Sequence, residues 1–148
     1  MTMSPGYLLV RAEGRPYGLP LGHVIEVDDL GEVLEVPRVL AAMRGLTPRR
    51  GRLVPLVHLG ALLGDRSPPA ERGRTTVLVA LGGEAAQGEV RGRGHLVAFE
   101  VDDADEVVRE AVLPVPPGES LPWAGGVARR QGTLVPILDL AVLEDRIR

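Results

Sequence analysis

Gly51 to Gly64 reads GRLVPLVHLGALLG, and Gly132 to Asp145 reads GTLVPILDLAVLED. Shifted by 81 residues, Gly45, Arg49, Gly51, Leu53, Val54, Pro55, Leu59 and Leu62 fall on Gly126, Arg130, Gly132, Leu134, Val135, Pro136, Leu140 and Leu143. That is 8 identities in the 18 positions from Gly45 to Leu62, where unrelated segments share about one by chance. Self-similarity of this kind sets architecture before any single residue does. It predicts two similar halves, each ending in the same strand-and-turn element.

Working outward, apolar runs bounded by turn residues mark further strands. Leu8–Arg11 and Tyr17–Leu21 flank the turn Glu13-Gly14-Arg15-Pro16 and read as a hairpin. His23–Val27, Val33–Val36, Leu53–Val57, Thr75–Leu81, His95–Val101 and Thr133–Leu138 read as strands. Pro55 points to an edge or a bulge, since proline cannot donate to a ladder. Val39–Met43 and Leu59–Leu63 read as helical turns, Asp139–Ile147 as a short C-terminal helix, and Asp105–Val112 as strand or helix. The glycine-rich stretch from 82 to 94 reads as an exposed hairpin loop. Many short strands, few helices and an internal repeat give an all-β chain of small barrels. A parallel α/β sheet would need long helical crossovers for which there is no room.

The chain has 148 residues, 19 glycines, 13 prolines and only four aromatic side chains, so the core must be built from Val, Leu, Ile and Ala. It is expected to form a single domain over residues 1–148, with halves near 1–66 and 75–148 joined by the turn-rich stretch 65–74. Exchange of the N-terminal strand between halves is left open. Cysteine is absent, which excludes disulfides and thiol nucleophiles. Neither a signal-peptide pattern nor an apolar run of about 18 residues is found. All 17 basic residues are arginine and the net charge is −3, so no global field attracts nucleic acid or anionic lipid.

Catalytic and metal patterns are missing. His23, His58 and His95 stand far apart, outside metal-ligand spacing. His58 corresponds to Asp139 under the repeat, and a solvated or turn-capping role outweighs an acid–base dyad or a metal ligand. The run Asp102, Asp103, Asp105, Glu106 lacks the glycine and the closing glutamate of a calcium loop. The glycines between 82 and 94 lack the Lys-Ser/Thr of a phosphate loop. The remaining charge is concentrated at Arg49-Arg50-Gly51-Arg52 and Arg129-Arg130. It reads as a solvated turn, a nucleic-acid patch poor in stacking aromatics, or a protein interface at Arg50.

These segments together resemble the CheW-like domain, the adaptor of bacterial chemosensory arrays. Tyr17-Gly18-Leu19-Pro20-Leu21 followed by Val24-Ile25-Glu26-Val27 is similar to that family's opening strands. Gly45 and Arg50-Gly51-Arg52-Leu53-Val54-Pro55-Leu56-Val57 resemble its most characteristic segment, G-V-x-N-L-R-G-x-I-V-P-V-I-D-L. His95–Val101, Asp102–Val108 and Val115-Pro116 resemble its second-half core, and Trp123, Gly126-Val127 and Leu134–Leu140 its closing strand. Pro48-Arg49 stands where the family usually has Asn-Leu, His58 where it usually has Asp, and the 82–94 loop is longer than usual. The resemblance implies two SH3-like five-stranded barrels around a shared apolar core. It implies a cytoplasmic, non-enzymatic adaptor without cofactor or metal, held at membrane-associated receptor arrays. The implied partners are the regulatory domain of the histidine kinase CheA and the cytoplasmic tip of a chemoreceptor. The positions implicated in partner contact fall on Val24, Glu26 and Arg50. A divergent scaffold of a motility pathway that keeps one contact, and a small barrel binding a ligand or nucleic acid, are the alternatives.

Overall fold

Leu8, Val10 and Ala12 face one way along the first strand, and Tyr7 and Leu9 face the other, yet all five are buried. Side chains alternate across a strand, so a strand with both faces buried must lie between two apolar layers. The same alternation recurs in Thr75–Leu81 and His95–Val101. There Val77, Val79, Leu81, Val97, Phe99 and Val101 join one core cluster with Leu8, Val10 and Ala12. Leu78, Leu96 and Ala98 join a second with Val54 and Leu56. Tyr7 and Leu9 join a third with Val108, Ala128, Val135 and Ile137. One shared core therefore separates two smaller barrel interiors.

The computed structural model describes residues 6–37, 40–82, 85–86, 89–90 and 95–147. In chain order the strands are β1 (Tyr7–Ala12), β2 (Arg15–Pro20), β3 (Val24–Asp29), β4 (Met43–Arg49), β5 (Arg52–His58), β6 (Thr75–Leu81), β7 (Ala85–Ala86), β8 (Glu89–Val90), β9 (His95–Val101), β10 (Asp103–Val108), β11 (Ala124–Arg130) and β12 (Thr133–Leu138). A 3-10 turn at Leu21–His23 precedes β3, α1 (Leu59–Leu63) follows β5 and α2 (Leu140–Ile147) follows β12. Barrel A has the order β10-β1-β2-β12-β11 and barrel B the order β3-β6-β9-β5-β4.

The sheets do not divide the chain at 65–74, as halves of 1–66 and 75–148 would require. Barrel A takes β1 and β2 from the first half, and barrel B takes β6 and β9 from the second. Each half thus lends its opening hairpin to the barrel that the other half completes. The repeat explains the reciprocity. β5 pairs in parallel with β9 from Leu56 opposite Ala98, and β12 pairs in parallel with β2 at Ile137 opposite Gly18. Leu56 and Ile137 are equivalent under the shift of 81 residues.

The equivalence extends to details. The β4–β5 ladder slips between Met43 and Gly45, and the β11–β12 ladder slips between Ala124 and Gly126. In each case a strap of upstream chain bonds through both backbone groups to the strand beyond the slip, Leu34 to Leu46 and Leu113 to Val127, with N–O distances of 2.7–2.9 Å. A Cβ at Gly45 would collide with the Leu34 carbonyl oxygen, and one at Gly126 would stand 2.8 Å from the Leu113 carbonyl oxygen. The strap fits because both positions are glycine.

Several expectations change. Val33–Val36 forms only the isolated bridge at Leu34 rather than a strand. Leu40–Ala42 makes one turn, closed by the Met43 N–H donating to the Leu40 carbonyl at 3.1 Å, and Met43 already begins β4; Val39 lies outside the described residues. β5 is an interior strand, so Pro55 marks neither an edge nor a bulge. Its partner Leu46 spends its backbone bonds on Leu34. Pairing with β9 starts only at Leu56, so the missing proline N–H is not demanded there. Asp103–Val108 is strand. Within the 82–94 stretch, Ala85–Ala86 and Glu89–Val90 pair antiparallel. Its expected exposure concerns side chains outside the described residues.

Candidate protein-docking site

The two edges of barrel B, β3 and β4, meet where the β4–β5 turn reaches across to β3. That turn has two residues between the paired Arg49 and Arg52, namely Arg50 at φ 50° and Gly51 at φ 75°. Positive φ at both positions is the hairpin turn whose twist matches the strands it joins. Its counterpart has Gln131 at φ 50° and Gly132 at φ 79°.

The turn projects Arg50 over β3, where Nε donates to Oε1 of Glu26 at 2.6 Å. Arg50 is 42% exposed and Glu26 28%, so the pair is worth about 0–1 kcal/mol. Arg49 points inward beneath it. Its two terminal nitrogens donate to the carbonyls of Pro48 and Asp29 and to the hydroxyls of Thr47 and Thr76, at 2.7–3.2 Å. The Thr47 hydroxyl donates in turn to the Glu32 carbonyl at 2.8 Å. Arg49 thereby bolts the seam from below while Arg50 crosses it from above. Val24 is half-buried at the start of β3, packed against the shared core. Opposite Val79 and Leu78 the strand bulges between Val24 and Glu26. The structure thus gathers Glu26 and Arg50 into one contact and puts Val24 on the same strand.

Barrel A closes differently. Arg130, the repeat equivalent of Arg49, donates to Glu106 on β10 and to Glu110, the latter at 3.3 Å. Within each arginine cluster one member is thus a latch rather than a solvated side chain: Arg49 binds neutral acceptors in barrel B, beside the Arg50–Glu26 ion pair, and Arg130 binds carboxylates in barrel A.

A further ion pair escaped the sequence reading. Glu100 is fully buried on β9, on the same face as Leu96 and Ala98. Arg44 of β4 binds both its oxygens, at 2.8 and 2.9 Å, and the Gly73 N–H donates to it at 2.6 Å. The same guanidinium donates to the Pro69 and Glu71 carbonyls at 2.8 and 3.2 Å. The stretch between the halves is thus clamped to barrel B. The one available signal was a lone glutamate inside the apolar run LVAFEV, which demands a partner.

His58 and Asp139 each cap the helix that follows. The Ala61 N–H donates to His58 Nδ1 at 3.0 Å. The Ala141 and Val142 N–H groups donate to Asp139 Oδ1 at 3.0 and 3.4 Å. Their own N–H groups go to equivalent carbonyls, Ala42 and Trp123. Among the described residues no hydrogen bond joins the two. Nor does any group of His, Asp and Glu there have the arrangement of a metal site. No helix among them is long and apolar enough to cross a membrane.

The fold and seam define a duplicated two-barrel protein whose candidate site is a charged turn laid over an edge strand. Residues 6–147 match the CheW-like domain family, and the chain belongs to it. The crystal structure of the scaffolding protein TtCheW from Thermoanaerobacter tengcongensis is similar, with a TM-score of 0.74 and 19% identity, covering 95% of this chain and 92% of that one. The likeness fixes the fold as two SH3-like barrels. Among curated proteins no sequence matches.

Proposed function

We propose that this protein is a chemosensory adaptor that couples a chemoreceptor to the histidine kinase CheA by binding both, without catalysis. The observation that carries this reading is the family match over residues 6–147 together with the joining of Glu26 and Arg50 at one exposed seam. In this reading Val24, Glu26 and Arg50 form the docking surface. Arginine suits such a surface because it offers several donors and a flat face at low desolvation cost. The fixed left-handed turn presents it with little ordering left to occur on binding.

Co-sedimentation of the purified protein with receptor fragments and CheA tests the reading. The intact protein should enter the pellet with both partners. Arg50→Ala should reduce recovery with at least one partner by about tenfold, the effect of losing roughly 1.4 kcal/mol at a contact. It should change folding stability by no more than about 1 kcal/mol, the worth of its exposed ion pair. Failure of the intact protein to bind either partner would remove the adaptor reading. A salt-steep affinity for nucleic acid would put the barrel-binding alternative in its place.

A further inference from the structure

His58 is where the two copies of the repeat part chemically. Its ring is buried, and Nδ1 accepts the Ala61 N–H at 3.0 Å to cap α1. A neutral ring that accepts at Nδ1 carries its proton on Nε2. A second proton must go onto Nδ1, which then points a donor at a donor. The cap is lost, and positive charge lies against the unsatisfied N–H groups of the first turn. A carboxylate or a carboxamide at this position remains an acceptor in every protonation state, as at Asp139.

Much hangs on α1. Leu59, Ala61 and Leu62 belong to the shared core. The Arg146 guanidinium of α2 donates to the Leu62 and Leu63 carbonyls at 3.2 and 3.4 Å. Arg66 holds Glu13 of the β1–β2 turn beside it. The helix is thus the joint at which α2 and barrel A are seated on barrel B.

The charged groups facing His58 come from several elements: Glu100 of β9, Glu13 of the β1–β2 turn, Arg44 of β4, and Arg66 beyond α1. The ring also lines a cavity of about 570 Å³ with Glu71, Arg72, Arg74, Asp102 and Asp103. The nearest carboxylates favour a charged ring, but Glu100 is bound by Arg44 and Glu13 by Arg66. Burial prevails and holds the ring below its ordinary value of 6.5.

We propose that His58 is an acid-sensitive joint: protonating its ring uncaps α1 and loosens the seat of α2 and barrel A on the shared core. The sign follows from linkage. Well above pH 6.5 the ring is neutral in both the folded and the unfolded chain, and its contribution is complete. Below that, the unfolded chain takes the proton first, so stability falls with pH until the folded ring also titrates.

Urea unfolding of the intact protein and of His58→Asn, from pH 7.5 to 5.0, tests the proposal. Carboxylates elsewhere affect both proteins alike, so the readout is the difference. The urea midpoint of the native protein should fall more steeply below pH 6.5 than that of His58→Asn. In the native protein, NMR should show the His58 ring titrating below 6.5, with faster amide exchange at Ala61–Leu63 as it does so. If His58→Asn does not fold, these two measurements decide. Parallel midpoint curves, a ring that titrates at or above 6.5, or exchange unchanged through its titration would overturn the proposal.

Discussion

Arg44 and Glu100 show how much one buried polar contact can organise. Glu100 is fully buried and receives three donors, which makes its charge tolerable in a low-dielectric interior. Arg44→Ala would strand that charge and free the Pro69 and Glu71 carbonyls together. Such losses cost about 3–5 kcal/mol, to be read as a fall in unfolding free energy by urea titration. Arg44→Met with Glu100→Leu should cost less than the single change, because no buried charge is left without a partner. At this scale the sequence was only partly informative. Glu26 and Arg50 could be singled out, and the structure joins them. Arg44 gave no signal, because its partner lies 56 residues away across a parallel strand junction. Arg49 sat in a cluster of three arginines, and nothing in the cluster distinguishes the one that turns inward.

At the scale of elements, the duplicated hairpins closed their barrels by different chemistry. Arg130 holds two exposed carboxylates, whereas Arg49 holds carbonyls and hydroxyls. Screening weakens exposed charge pairs once the Debye length contracts to about 3 Å in 1 M salt, but acts weakly on bonds to neutral partners. Arg130→Ala should therefore cost about 1 kcal/mol or less at low ionic strength, and the loss should vanish in 1 M sodium chloride. Arg49→Ala should cost about 1–3 kcal/mol, because the hydroxyls of the buried Thr47 and Thr76 lose a donor, and the loss should persist in salt. Denaturant titrations at both ionic strengths measure the contrast. Strands such as β1, β5, β6, β9 and β12 were readable, since alternating or continuous Val and Leu demand burial. β4 and β11 were not, because MRGLTPR and AGGVARR are rich in residues depleted from strands. They are held by pairing and by the strap at each slip. The repeat ran through both, and it was the one usable sign of their common structure.

At the scale of the whole molecule, the duplication was legible and exchange of the N-terminal strand stood open, but the reciprocal exchange of whole hairpins was not legible. β1 and β6 bury both faces in whichever barrel they join, so their patterns serve either arrangement. The choice rests on long-range parallel pairing at Ile137–Gly18 and Leu56–Ala98, which local sequence does not encode. The consequence is physical interdependence. A chain of residues 1–69 would keep β3, β4 and β5 without the β6–β9 hairpin that completes their sheet, and a chain of 70–148 would keep β10, β11 and β12 without β1 and β2. The shared core would be split as well, since Leu8, Val10, Leu59 and Leu62 pack with Val77, Phe99, Leu138 and Leu143. Exposing that much apolar surface exceeds the margin of a marginally stable domain. Each fragment alone should therefore lack native dispersion in NMR and cooperative unfolding. Mixed at equal concentration, the two should form a 1:1 complex with the spectrum of the intact chain, at a stability that rises with concentration. If barrels were instead built from sequential halves, each fragment would fold alone and mixing would change nothing.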